Sequence, residues 1–185
     1  MRKRVWLFSE GSLKRRDLLG NKGANLCEMT SLGMPVPFGF IITNQTHLEY
    51  QRLRQRIPEG TMEEVKAALL KMEIRQGAEF GNPVNPLLVS VRSGASVTMP
   101  GMMDTLLNLG INDEIVEGLA KLTANPRFAY DTYRRFLQLN GAVVGGKGIH
   151  PYTQILKDYR QQHGLEEHAD LDVGGTQRNR RTFQA

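Results

Sequence analysis

The chain has 185 residues, 40% hydrophobic and 23% charged, a composition that suits one soluble globular domain with a real core. Its formal net charge is +5, but Lys14, Arg15, Arg16 and Arg178, Arg180, Arg181 supply much of the excess at separate places. No basic run is interleaved with aromatics as single-strand binders require, so the charge reads as a solvated surface or a general attraction for anions, and no nucleic-acid partner is expected.

The start of the chain, through Val5-Trp6-Leu7-Phe8, has too few apolar residues for a secretory leader. No apolar stretch approaches the ~18–20 residues that cross a bilayer, so no membrane partner is expected. Cys27 is the one cysteine, which excludes an internal disulfide, and no Cys/His cluster has zinc spacing. A reducing, cytoplasmic setting is the expectation.

In chain order, Leu18-Leu19-Gly20-Asn21-Lys22-Gly23 leads into a helix over Ala24–Leu32, with Leu26, Met29 and Leu32 at helical spacing. Gly33 and the prolines at 35 and 37 end it, and Phe38–Thr43 reads as a short buried strand. A helix is expected over His47–Ile57, capped by Thr43 or Asn44. Thr61-Met62-Glu63-Glu64 reads as a capping box opening the next helix. After the rigid connector Asn82-Pro83-Val84-Asn85-Pro86, Leu87–Ser93 is a hydrophobic strand, and Thr105–Leu109 a second one. Helices follow over Asp113–Leu122 and Arg127–Leu139, the latter announced by Asn125-Pro126, with a further one over Tyr152–Gln162. From Leu171 the chain shows no periodicity, and a disordered tail is expected at 171–185. The mixed order of elements argues for an α+β fold.

Three places could hold phosphate. At Gly20-Asn21-Lys22-Gly23, small residues let a ligand approach the backbone, helix-start N–H groups attract anions, and Lys22 adds a mobile cation; the plain alternative is a solvent-facing lysine. Arg92 ends a hydrophobic strand, where burial would demand an anionic partner: either phosphate oxygens or a structural carboxylate. Thr98-Met99-Pro100-Gly101-Met102-Met103-Asp104 contains a Pro-Gly turn that can aim backbone N–H groups at one anion, or is simply a tight turn. Gly141–Gly148 nearly spells a Walker A loop, but Gly148 stands where the Mg²⁺-binding hydroxyl should be. A helix comes before that stretch and His150-Pro151 is expected to interrupt any helix after it, so it is set aside.

Taken together the three places resemble one family. Leu18–Leu26, Gly33–Phe40, Leu87–Gly94, Met99–Thr105, Asn125–Asp131 and Tyr133–Phe136 are similar, in the same order, to the start of the pyruvate, phosphate dikinases. The related phosphoenolpyruvate synthases share the layout, but Met-Pro-Gly-Met-Met-Asp favours the dikinases. The resemblance runs from about Val5 to Leu139 and is expected to fade beyond.

That resemblance implies an ATP-grasp nucleotide domain, here its N-terminal lobe over residues 1–140, with a divergent helical extension over 141–170. It implies that Lys22 and Arg92 grip ATP phosphates, with Thr98, Gly101, Met102, Met103 and Asp104 lining the phosphate site. Mg²⁺ would accompany ATP, its protein ligands expected beyond this sequence. The family converts ATP, phosphate and pyruvate to AMP, pyrophosphate and phosphoenolpyruvate through a phosphohistidine on another domain. None of His47, His150, His163 and His168 has that histidine's sequence setting. A fragment, truncated product or degenerate paralogue, inactive alone, is therefore the expectation, with a separate phosphohistidine domain or chain as its partner and homo-oligomers compatible with uncovered apolar surface. The alternative is a non-catalytic scaffold in which Arg127, Arg134 and Arg135 dock an acidic partner, unless they are simply a charged solvent face.

Overall fold

The computed structural model describes residues 2–93, 105–146 and 148–164. Strands and helices both form, as an α+β fold requires: β1 (Val5–Leu7), α1 (Arg16–Ser31), β2 (Phe40–Ile42), α2 (Asn44–Arg52), α3 (Thr61–Gln76), β3 (Val89–Arg92), β4 (Thr105–Leu109), α4 (Asp113–Thr123), α5 (Pro126–Val143) and α6 (His150–His163). Sequence reading treats residues 1–140 as one lobe. The described residues fall into two compact units, one of residues 2–77 with 93, the other of 78–92, 105–146 and 148–164. The tail expected at 171–185 lies outside the described residues.

In the first unit β1 and β2 pair antiparallel, Val5 opposite Ile42 and Leu7 opposite Phe40. Helix α1 covers this ribbon with small residues. Leu19, Ala24 and Cys27 are buried against Trp6, Phe8 and Ile41, and a Cβ at Gly23 would come within 2.9 Å of the Ile41 side chain. Burial pushes the Cys27 thiol up from its ordinary value, so it behaves as a core residue. Met29 and Leu32, expected on the buried face, are exposed.

Helix α2 starts on Thr43, whose hydroxyl accepts from the Thr46 amide at 3.3 Å. It stops at Arg52 rather than Ile57, because Arg54 and Gln55 take positive φ. The capping box expected at Thr61 does not form. Gly60 caps α3 without a side-chain bond, and the Thr61 hydroxyl has no partner. Glu64 is drawn away instead: its carboxylate accepts from the Arg4 and Val5 amides at 2.8 and 2.9 Å, fastening β1 to α3.

In the second unit β3 and β4 pair antiparallel, and β4 has the expected bounds. Leu107 and Asn108 together face Ser90, a bulge with Asn108 at φ 59°. Helices α4 and α5 build the core from Ile111, Ile115, Val116, Leu119, Ala129, Tyr130 and Tyr133. Asn112 caps α4, and Asn125 caps α5 ahead of Pro126.

Helix α5 runs on to Val143, so the first part of the Walker-like stretch is helical. Pro151 does not interrupt the next helix. It sits in the first turn of α6, where its missing N–H costs nothing. Tyr152 and Leu156 hold α6 against Leu137.

Removing the Glu64 carboxylate leaves two strand amides without their acceptor. Glu64→Ala should therefore destabilise the chain by about 1–3 kcal/mol in urea denaturation, while Glu63→Ala on the exposed face stays within about 0.5 kcal/mol.

Candidate functional site

Gly20 sets the geometry of the first candidate. It lies inside α1 at φ 71°, ψ 166°, a non-helical conformation that breaks the helix after Leu19. This backbone region is essentially reserved for glycine. The helix resumes with Asn21, Lys22 and Gly23 in its first turn, where N–H groups lack acceptors within their own helix and the dipole is positive. The sequence placed a helix start here; the structure adds the short segment from Arg16 before the break. Lys22 is half-buried and makes no ion pair among the described residues.

Arg92 ends β3 in the second unit and is exposed. The burial argument for an anionic partner is thus corrected: with only β4 beside it, and Val91 also exposed, β3 does not sink into a core. The structural salt bridge weighed for Arg92 does not form among the described residues either. Lys22 and Arg92 lie in different units, and Thr98, Gly101, Met102, Met103 and Asp104 lie outside the described residues.

Other cations nearby in sequence are already engaged. Arg4 pairs with Glu49 at 2.5 Å and Lys3 with Glu10 at 2.7 Å. Lys3 and Arg15 also stand 5.0 and 4.8 Å from the Trp6 ring centroid.

Of the three arginines of α5, one leaves the expected solvent face. Arg134 is 3% exposed; its guanidinium donates to Asp131 at 2.6 and 2.9 Å and to Gln138 at 3.2 Å. Arg135 is exposed but donates to the other Asp131 oxygen at 2.7 Å. Arg127 is exposed and engaged in an interaction of its own. Burial alone would raise the Asp131 carboxyl, but hydrogen bonds and charge from Arg134 and Arg135 outweigh it and hold the group below its usual range. Sequence periodicity gave no sign of this, because an arginine's position on a helix does not reveal that a carboxylate three residues earlier will draw it inward.

Among the described residues no three His, Cys, Asp or Glu side chains gather as a metal site would need. Nor is any helix there long and apolar enough to cross a membrane.

No protein-family model matches the chain. Its curated relatives are nonetheless kinases of the dikinase class. The chain is 48% identical over 170 residues to pyruvate, phosphate dikinase of Entamoeba histolytica, covering 92% of this chain and 19% of that protein. To the enzyme of the same name from Clostridium symbiosum it is 44% identical over 185 residues, covering all of this chain and 21% of the other. A chloroplastic pyruvate, phosphate dikinase from Flaveria pringlei is 45% identical over 176 residues, covering 93% of this chain and 18% of its own length.

The chain is thus a sequence relative of pyruvate, phosphate dikinases and spans about a fifth of their length. The Clostridium symbiosum match extends past Leu139, through all 185 residues.

Because the folded Asp131 value lies below that of an unfolded aspartate, the stability it contributes is present above about pH 5. It is lost as pH falls through the folded value. Asp131→Asn should flatten the fall of stability with pH below about pH 5 in urea titrations. Arg134→Ala, which leaves a partly buried carboxylate without its main partner, should cost about 2–3 kcal/mol, short of the ~3–5 for a fully buried pair.

Proposed function

We propose that this chain is the part of a dikinase-type phosphotransferase that takes hold of MgATP. Lys22 at the restarted helix and Arg92 at the end of β3 bind the phosphate oxygens. The loop carrying Thr98, Gly101, Met102, Met103 and Asp104 supplies further donors, in a lobe of the ATP-grasp kind. The observation that carries this reading is the 44–48% identity to pyruvate, phosphate dikinases over nearly the whole chain. The structure supports it through two cations, Lys22 and Arg92, that have no carboxylate partner among the described residues.

Phosphoryl transfer relies on positioning and on stabilising charge, and a lysine and an arginine suit that work. The described residues offer no cluster fit to hold Mg²⁺, so no step is assigned to the metal, which would come with the nucleotide. The remaining activity, in which a phosphohistidine carries the group to pyruvate, would belong to domains this sequence does not include. The chain by itself should bind ATP or AMP without turnover. The scaffold reading loses ground with its arginines, since Arg134 is buried and Arg135 is paired.

Each charge-assisted hydrogen bond contributes about 1.5–3 kcal/mol. In calorimetric titration the folded chain should bind MgATP saturably, and Lys22→Ala and Arg92→Ala should each raise Kd about tenfold or more. A folded chain that takes up no nucleotide at millimolar concentration would remove ATP binding as its own activity.

A further inference from the structure

A cleft of about 390 Å³ opens in the first unit, apart from the Gly20 break. Phe8, Val36, Pro37 and Phe38 supply its apolar lining, and Ser9, Thr30, Arg75 and Gln76 the polar part. Arg75, in the last turn of α3, is the one charged residue of that lining among the described residues.

The walls are fixed in place. Phe8 packs into the core with Leu19, Ala24 and Cys27. The Phe8 amide donates to the Gly39 carbonyl at 3.1 Å. A Cβ at Gly39 would lie only 2.5 Å from the Phe8 ring, so the chain passes directly against it. Pro37 locks its own φ in the lining. The cleft is therefore formed before any ligand arrives, and its volume lies within the ~300–1,000 Å³ of small-molecule sites.

Among the described residues the charge in the cleft has one sign. No acidic side chain lines it, and Arg75 makes no ion pair or hydrogen bond among the described residues. A guanidinium at an apolar wall matches a ligand with one planar anionic head and an apolar body, because its fork donates two parallel N–H bonds to a carboxylate. A polyphosphate fits poorly, having several charges for one cation and no apolar part for the walls.

We propose that this cleft binds a small organic carboxylate with a flat apolar body, its headgroup on Arg75 and its body between Pro37, Phe38 and Phe8. The site is independent of the phosphate reading and does not involve Lys22.

The test is a ¹H–¹⁵N NMR titration of the full chain with 2-naphthoate. Saturable shifts confined to the amides around Ser9, Val36, Phe38 and Arg75 are expected. Arg75→Ala should raise Kd about tenfold or more, Arg75→Lys less, and Lys22→Ala should change nothing. The neutral isostere 2-naphthalenemethanol should bind about tenfold more weakly. Shifts spread over the molecule, equal binding of acid and alcohol, or unchanged binding by a well-dispersed Arg75→Ala spectrum would each overturn the proposal.

Discussion

The break at Gly20 is the constraint on which the first unit depends. A residue at φ 71°, ψ 166° cannot carry a Cβ without strain. The helix must therefore stop after Leu19 and start again. Before the break Leu19 is 1% exposed; after it Gly23, Ala24 and Cys27 lie buried, with Gly23 close against Ile41. Small side chains give up apolar area but let the helix approach the ribbon closely. The same turn of helix carries Lys22. One backbone conformation thus serves both the packing of the unit and the placement of its candidate phosphate ligand.

A second thread is how carboxylates are used. Glu64 holds two strand amides, Glu49 holds Arg4, Glu10 holds Lys3, and Asp131 holds two arginines at once. The excess positive charge is therefore not one continuous surface. Several cations are tied to internal fasteners, and Lys22 and Arg92 differ from those in having no carboxylate partner among the described residues. Net charge alone suggested an appetite for anions; the pairing pattern narrows where that appetite can be expressed.

Much of this was legible in the sequence. Asn125-Pro126 marked the start of α5, α4 began at Asp113 as expected, and Thr105–Leu109 formed a strand with its expected bounds. The dikinase words were legible too, because long identical words in fixed order are specific in a way that a lone glycine loop is not. What failed has physical causes. The search for large apolar residues at helical spacing pointed to Leu26, Met29 and Leu32, whereas α1 buries Leu19 and the small residues Gly20, Gly23, Ala24 and Cys27. Thr61 and Glu64 have capping-box spacing, but a backbone partner some sixty residues away in sequence won the carboxylate. Arg134 reads as a surface charge until Asp131 neutralises it. The distant partner of Glu64 leaves no local signature, and the spacing of Asp131 and Arg134 does not reveal that the pair is drawn inward.

The central claim is that the helix restarted at Gly20 receives nucleotide phosphate through its first turn and Lys22. The most direct measurement is residue-resolved: ¹H–¹⁵N spectra of the folded chain recorded with and without MgATP. The account predicts that the amides of Asn21, Lys22 and Gly23 shift together and saturably, and that Gly20→Ala, if folded, abolishes the response. Saturable nucleotide shifts that leave those three amides unmoved would contradict it.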